Sequence, residues 1–293
     1  MVIKKSISGR IFDLFNSVFL ILLIIICVYP MYYVAMASFS DGTELLMHSG
    51  LIFRPLGFSM AGYEFVFKNP MLLRGYFNTF FIVIFGLLDN LLLTSFGAYA
   101  LSRPSLRFKK PLMLLIVFTM YFSGGLIPYF FAVKDLGLID SLWSLILPTS
   151  ISTFNLIIMK TSFEAIPPSL EESAKLDGAN DFTVLFRIII PLSKATIAVM
   201  ILYYGVAHWN SWFNAMLFLQ DRKLRPLQLV LREILIQGEM DEMIGGSNAA
   251  DIAQLSETVR YATIMAATVP ILCLYPLLQK YFVKGVMVGA IKG

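Results

Sequence analysis

Long apolar stretches separated by polar connections dominate the pattern along this chain. A helix needs about 20 apolar residues to cross roughly 30 Å of hydrocarbon. The stretches that reach this length lie at about 12–37, 77–101, 111–132, 141–161, 193–219 and 261–283. The pattern therefore predicts an all-α, polytopic membrane protein with about six transmembrane helices, forming one transmembrane domain over residues 1–293.

The first apolar stretch has a second interpretation, as a secretory signal peptide. Lys4, Lys5 and Arg10 precede it, and Ala35-Met-Ala37 resembles a cleavage site. The stretch is longer than the apolar run of about 7–15 residues in such signals, and further spans follow it. We therefore expect a helix that is not cleaved.

Composition supports a membrane protein. Hydrophobic residues make up 58% of the chain and charged residues 14%, whereas soluble domains carry about 25% charged residues. Cys27 and Cys273 lie in apolar runs, which favours packing over a disulfide or a thiolate site. The two histidines, His48 and His208, are far apart, so no metal site is expected.

Basic residues predict the orientation. The compact connection Arg103-Pro-Ser-Leu-Arg-Phe-Lys-Lys110 is strongly basic, as cytoplasmic loops usually are. This places both termini and the segment 164–192 in the cytoplasm. Two long connections, at about 38–76 and 220–260, then lie outside. Each is either a docking surface for an external protein or a solvated connector.

The sequence of the cytoplasmic segment 164–192 predicts a helix-turn-helix. Pro167-Pro168 should end the preceding helix, and Ser169 can cap a new one with Glu172 completing a capping box. Gly178 can adopt the left-handed conformation that stops a helix.

A second helix is predicted after this turn. Asn180 is a suitable cap, and Pro191 closes the helix. Four apolar residues are predicted to share one face because they are spaced at i, i+3, i+4 and i+7: Phe182, Leu185, Phe186 and Ile189. The plain interpretation of the pair is a surface connection between two spans.

The motifs Glu172-Ser-Ala174, Asp177-Gly178-Ala179 and Ile190-Pro191-Leu192 resemble the E-A-A, D-G-A and I-x-x-P-L pattern of permease subunits from binding-protein-dependent ABC importers. Only Ser173 departs from it, standing where alanine is usual. The resemblance covers nearly the whole chain. The tail over 279–293 resembles the maltose-type carbohydrate permeases, particularly the branch for alginate or aldouronate fragments.

The resemblance implies a type I ABC importer permease, in which the 169–191 element is a coupling helix held in a groove of an ATPase subunit. Glu172 would pair with polar groups of that groove, and Ala174, Leu176 and Ala179 would supply apolar contact. The implied docking residues are Glu171, Glu172, Ser173, Ala174, Asp177, Gly178, Ala179 and Pro191.

The resemblance also implies the partners. These are a second permease subunit forming a heterodimer, two ATPase subunits, an external solute-binding protein, an oligosaccharide and membrane lipid, with no nucleic acid. The chain has no G-x-x-x-x-G-K-[ST] phosphate loop. We therefore expect ATP and Mg on the ATPase subunits and no cofactor on this chain, which would be a transport subunit of the bacterial inner membrane and not an enzyme.

Polar residues within spans mark a candidate substrate path, because facing them to lipid is costly. Aromatic faces and amides are the groups that hold sugars. The candidates are Asp89-Asn90, Asn155, Tyr204, His208, Asn210, Trp212 and Asn214. Interfacial aromatic belts and helix-to-helix hydrogen bonds are the competing interpretation, and His208 fits a helix contact better than a ligand.

Two other classes of protein are also hydrophobic. An ion-coupled secondary transporter should show inverted repeats or several intramembrane carboxylates, and Asp89 is the main one here. A membrane-embedded enzyme needs a catalytic set at membrane depth, and the sequence offers none.

Overall fold

The computed structural model describes residues 7–237, 257–273 and 276. These residues form α-helices with short 3₁₀ and π turns, and no β-strand occurs among them. The described chain separates into two compact units, residues 7–69 with 233–237 and 257–268, and residues 70–232 with 269–273 and 276. The prediction of an all-α protein is confirmed.

The first unit is built on one long apolar helix. Its elements are α1 (Ile7–Ser38), α2 (Gly42–Met47), α3 (Ala61–Lys68), the π turn Glu233–Gln237 and the first part of α14 (257–273). Residues 11–28 of α1 are all exposed within this chain, as expected of side chains that face lipid or another subunit.

Close packing in this unit depends on a glycine. Gly62 of α3 faces α14, where a Cβ would lie 2.9 Å from Thr258 Cγ2 and 3.0 Å from the Thr258 carbonyl oxygen. Ala37, Leu45 and Ile52 form a small core, against which Tyr261 packs.

The second unit surrounds a single continuous helix, α4 (Pro70–Ser102), which packs against α7 and α11. Its other helices are α5 (Lys109–Tyr121), α6 (Leu126–Asp135), α7 (Thr153–Glu164), α8 (Pro168–Leu176), α9 (Asp181–Val184), α10 (Ile190–Leu192), α11 (Lys194–Trp209), α12 (Phe213–Phe218) and α13 (Leu227–Arg232). Short 3₁₀ turns occur at Leu142–Leu145, Leu147–Thr149 and Arg222–Leu224, and a π turn at Leu185–Ile189.

The described residues of this unit form two apolar cores. One contains Ala98, Met159 and Phe163 and lies towards the end of α4 at Ser102. The other contains Ile82 and Phe218 and lies towards the opposite end. The side chains of α4 are therefore buried against different neighbours at the two ends of the helix.

Only α1 and α4 are long and apolar enough to cross a membrane as single helices among the described residues. Three further candidates are bent pairs: Lys109–Tyr121 with Leu126–Asp135 at 113°, Leu142–Thr149 with Thr153–Glu164 at 49°, and Asp181–Leu192 with Lys194–Trp209 at 86°. Six crossings therefore remain a prediction, and part of the sixth predicted span, 261–283, lies outside the described residues.

The breaks have local causes. Gly125 adopts φ +86° between α5 and α6, a backbone conformation that interrupts a helix. The predicted span 141–161 passes through Pro148 and the extended residue Ser152, which caps α7. Helix length is thus set by backbone chemistry even where hydropathy is continuous.

Both long connections contain helices. The connection predicted at 38–76 includes α2, α3 and the start of α4 at Pro70. In the one predicted at 220–260, α13 is a packed helix with Leu227, Leu229 and Val230 buried, so a wholly solvated connector is wrong there. The glycine-rich stretch 238–248 and the tail 279–293 lie outside the described residues.

Candidate functional site

The helix-turn-helix predicted at 169–191 is present, but its start differs from the prediction. Helix α8 begins at Pro168, with Pro167 in the cap position and no side-chain cap bond. The capping box of Ser169 and Glu172 is therefore wrong. Proline suits the first turn of a helix because its missing N–H would have no partner there. The helix therefore starts at Pro168, and Ser169 lies inside it.

The turn after α8 forms as predicted. Gly178 has φ +83°. Its N–H donates to the Lys175 carbonyl at 3.0 Å, and the Ala179 N–H donates to the Ala174 carbonyl at 2.9 Å. This pair of bonds is a Schellman motif, which closes a helix with a left-handed residue. Asn180 then caps α9, its Oδ1 accepting from the Thr183 N–H at 2.8 Å.

The four residues predicted to share one face of the second helix differ in burial. Leu185 and Ile189 are buried together with Val184, but Phe182 and Phe186 are 65% and 44% exposed. The reason is the π turn Leu185–Ile189, through which the period of an α-helix does not hold. The two phenylalanine rings lie beside the buried face.

Helix α8 has an inner and an outer face. Ala174 and Ala179 are partly buried against the core of the second unit, and their contact with another protein stays a prediction. Glu171 is also turned inward. The outer face exposes Glu172, Ser173, Leu176, Asp177 and Gly178, and Pro191 is exposed on the following helix.

An ionic cluster joins the inner face of α8 to the end of α4. The Arg103 guanidinium forms an ion pair with Glu171, and the two side chains are only 15% and 12% exposed. Lys175 Nζ lies 2.9 Å from Glu171 Oε1 and 3.1 Å from Asp181 Oδ1. The Tyr99 hydroxyl donates to Glu171 Oε1 at 3.3 Å.

These contacts fix the charge state of the cluster. Burial acts to raise the pKa of the Glu171 carboxyl, but hydrogen bonds from Lys175 and Arg103 outweigh it and hold the pKa below its usual value. Hydrogen bonds to Glu171 and Asp181 raise the pKa of Lys175. Glu171 and Lys175 are therefore both charged at neutral pH.

A cavity of about 780 Å³ lies between α7 and α11. Four of the predicted path residues line it, namely Asn155, Tyr204, His208 and Asn214. The other lining residues were not predicted from the sequence. The lining comprises Leu145, Thr149, Ser152, Phe154, Asn155, Leu202, Tyr203, Tyr204, Val206, Ala207, His208, Ser211 and Asn214. The wall thus combines aromatic rings with neutral hydrogen-bonding groups.

A buried polar network supports this wall. His208 Nε2 lies 2.6 Å from Asn90 Oδ1, and Asn90 Nδ2 donates to the carbonyl oxygens of Thr149 and Ser150 at 2.8 Å each. The Tyr204 hydroxyl lies 2.8 Å from Thr94 Oγ1 and accepts from the Ser152 N–H at 3.0 Å. His208 is therefore a helix contact, as the sequence favoured, and it also reaches the cavity.

Four predicted path residues are absent from the cavity lining. Asn90 contacts the wall through His208 and the Thr149 carbonyl without lining the cavity itself. Asn210 is exposed at the end of α11. The Trp212 ring makes a cation–π contact with Arg232, whose guanidinium carbon lies 5.0 Å from the ring centroid. Asp89 is half-buried, and its Oδ2 is buried without a hydrogen-bond partner in the described part of the chain.

The contacts of two other residues of the site could not be predicted from the sequence. Gly86 leaves room for the His208 ring, since a Cβ there would lie 2.5 Å from Nε2. Arg103 was assigned to the basic connection, and its partner Glu171 lies 68 residues away. Only the folded chain brings these residues together.

Long helices with exposed apolar faces, a cavity lined by aromatic and hydrogen-bonding side chains, and an exposed polar helix-turn-helix are features of a membrane transport subunit. No protein-family model matches the chain. Its relatives nevertheless show the family: the chain belongs to the permease subunits of sugar ABC importers.

The similarity extends over whole chains. The polygalacturonan/rhamnogalacturonan transport system permease protein YtcP of Bacillus subtilis (strain 168) is 43% identical over 291 residues, covering 98% of this chain and 100% of the relative. Protein LplC of the same organism is 40% identical over 286 residues, covering 98% and 96%. The resemblance noted from the sequence is confirmed, as is the assignment to transport and not to an enzyme.

A solved structure agrees. The crystal structure of a bacterial ABC transporter involved in the import of the acidic polysaccharide alginate contains a chain that matches with a TM-score of 0.86 and 33% identity. The match covers 95% of this chain and 99% of that chain.

Proposed function

We propose that this permease passes acidic oligosaccharides from an external binding protein into the cytoplasm, and that the outer face of α8 docks an ATPase subunit. The proposal has a mechanical part and a chemical part. Each part rests on a different region of the second unit and has its own experiment.

The outer face of α8 carries the docking proposal. Leu176 is 90% exposed, at the end of a short polar helix next to a glycine turn. Exposing a leucine to water leaves its whole apolar surface unburied, so a protein partner would gain by covering it. Glu172 and Asp177 flank it and can accept hydrogen bonds from basic or amide groups of that partner.

The inner face explains why this segment can dock as a rigid body. Ala174 and Ala179 hold α8 against the core, and the Schellman turn fixes its end. A displacement of the ATPase subunit would then move the whole helix-turn-helix, as rigid-body switching requires.

The cavity wall suits a carbohydrate. Tyr203 and Phe154 supply aromatic faces, with ring centroids 6.3 Å apart. Asn155, Ser211 and Asn214 supply hydrogen-bonding groups from the same lining. The volume of about 780 Å³ lies within the range of roughly 300–1,000 Å³ that is usual for small-molecule sites.

Similarity favours an acidic cargo. The first relative is named for polygalacturonan and rhamnogalacturonan, and the matching crystal structure concerns alginate import. The described residues of the lining include no lysine or arginine, so sugar carboxylates would meet neutral donors there, such as Asn155 Nδ2 and Asn214 Nδ2. Neutral donors bind a carboxylate less tightly than an ammonium or guanidinium group does, which favours release of the cargo.

The assembly follows from the family. A second permease would complete a heterodimer, and two ATPase subunits would hold ATP and Mg, with no cofactor on this chain. The basic connection containing Arg103, Arg107 and Lys110 would face the cytoplasm together with α8 and both termini. The chain would then lie in the bacterial cytoplasmic membrane.

Docking is tested by co-purifying the ATPase subunit with the Leu176→Glu variant. We expect loss of association, because a carboxylate would replace the apolar contact. Leu136→Glu is the matched control, since Leu136 is 72% exposed but lies outside the α8 segment. Wild-type association of the Leu176→Glu variant would contradict the docking proposal.

The cargo is tested in proteoliposomes containing the assembled transporter and its binding protein. Oligogalacturonides should stimulate ATP hydrolysis and enter the vesicles, whereas neutral oligosaccharides of equal length should do so less. Equal uptake of both sets would contradict an acidic cargo while leaving the docking proposal intact.

A further inference from the structure

The inward ion pair of α8 is the feature of the second unit that the docking proposal leaves unused. Glu171 and Glu172 are neighbours in sequence, yet Glu172 is exposed and Glu171 is 12% exposed at its side chain. One face of this helical turn is therefore free to contact a partner, and the other pairs with Arg103 at the end of α4.

Arg103 immediately follows the last residue of α4, and its side chain is held on several sides. The guanidinium pairs with Glu171 and lies 4.8 Å from the centroid of the Tyr99 ring. Its Nε donates to Ser102 Oγ at 3.0 Å, and its Nη2 donates to the Phe163 carbonyl of α7 at 3.4 Å. These contacts give Arg103 little freedom to move independently of α4.

The apolar contact beneath α8 is small. Its inward residues at this point are Ala174 and Ala179, whose methyl groups bury little surface and do not interlock as larger side chains would. Ala174 and Ala179 keep α8 on the core, but their small methyl groups resist sliding less than larger side chains would. The Arg103–Glu171 pair resists that motion because its geometry is directional.

Helix α4 continues from this pair to the cavity without a break. Asn90 lies 13 residues before Arg103, about 20 Å along the helix. Asn90 holds His208 and the carbonyl oxygens of Thr149 and Ser150, all of which belong to the cavity wall or adjoin it. Moving the end of α4 would therefore move the wall.

We propose that Arg103 and Glu171 form a joint that transmits displacement of α8 to α4, and through α4 to the cavity wall. Both are positioning residues, since neither is placed at the cargo or at nucleotide. The inference rests on the proposed docking of α8, and it adds the step by which that docking reaches the cavity.

The joint is tested by the number of ATP molecules hydrolysed per oligosaccharide imported, measured on the full transporter in proteoliposomes. We expect Glu171→Gln and Arg103→Gln to raise this ratio by at least about fivefold, the lower end of typical coupling between sites. ATPase subunits should remain bound, because Glu172 and Leu176 are unchanged.

A nearby ion pair provides the matched control. Glu164 of α7 binds Lys109 and Lys160 at 2.7 Å each, and within the described part of the chain no ion pair joins it to α8. Glu164→Gln should leave the ratio unchanged. Arg103→Lys keeps the positive charge beside Glu171 and should restore the ratio towards wild type relative to Arg103→Gln, which would exclude misfolding as the cause.

Two outcomes would overturn the joint. One is an unchanged ratio in both single variants. The other is a fall in uptake and in ATP hydrolysis by the same factor in the Glu171→Gln and Glu164→Gln variants, which indicates only structural support.

A second readout needs no cargo. Spin labels at exposed Leu170 of α8 and Leu92 of α4, with Cys27 and Cys273 replaced by serine, report the distance between the helices. This distance should stay constant through the ATP cycle in the wild type and change in Glu171→Gln. A changing distance in the wild type contradicts the joint, whereas failure of the ATPase subunits to bind contradicts the docking proposal.

Discussion

Replacing Gly86 with alanine should disrupt the contact between α4 and α11. A Cβ at this position would lie 2.5 Å from His208 Nε2 and 2.8 Å from two other atoms of the ring. These separations are about 1 Å shorter than ordinary van der Waals contact. The ring must move, and it cannot then keep its 2.6 Å contact with Asn90 Oδ1.

The size of the effect follows from two terms. Overpacking a well-packed site costs about 1–3 kcal/mol. Loss of the hydrogen bond adds about 0.5–1.5 kcal/mol. The free energy of unfolding should therefore fall by about 1.5–4.5 kcal/mol. For 293 residues the entropy of unfolding is about 0.6 kcal/mol per degree, so the unfolding midpoint should fall by roughly 2–7 °C.

Thermal unfolding of the purified protein in detergent measures this change. Gly205→Ala is the matched control on the same helix pair, because its nearest neighbour would be Leu87 Cδ1 at 3.8 Å, an ordinary contact. Adding His208→Ala to Gly86→Ala should recover part of the loss by removing the clash. If Gly86→Ala unfolds at the same temperature as Gly205→Ala, His208 does not occupy the space beside Gly86.

Three further outcomes are expected. Gly178→Val should lower uptake relative to ATP hydrolysis, because φ +83° strains a β-branched residue, whereas Gly178→Asn should be milder; equal uptake by the two variants would refute this. Asn214→Leu should reduce uptake without loosening ATPase association, since it removes a cavity amide, and unchanged uptake would assign Asn214 to packing. The pKa of Glu171 is lowered on folding, so its stabilisation is complete well above the ordinary value of 4.5 and is lost as the pH falls through the folded pKa. Melting curves should therefore show wild type more stable than Glu171→Gln at pH 7 and the difference shrinking in acid; a constant difference would contradict the ion pair.

Hydropathy determined the class of this protein, and local chemistry determined its turns. Apolar runs long enough to span a bilayer indicate a membrane protein whatever the packing of its helices. Gly178 and Asn180 behave as predicted because a left-handed turn and a helix cap involve atoms only a few residues apart. Such features need no knowledge of the rest of the chain.

Two predictions failed where the backbone departs from a continuous α-helix. The apolar spacing of Phe182 and Phe186 assumed an α-helical period that the π turn interrupts. Hydropathy marked 111–132 as one span, yet the backbone bends at Gly125. Hydropathy describes the polarity of a segment and does not register a local change in its backbone geometry.

The working parts of the site were decided only by the tertiary structure. His208 meets Asn90 across 118 residues and Arg103 meets Glu171 across 68, so no spacing in the sequence could pair them. Glu171 and Glu172 have the same chemistry, and the orientation of α8 alone makes one an internal ion pair and the other an exposed carboxylate. Residue type sets which interactions a side chain can make, whereas packing sets which partner lies within reach.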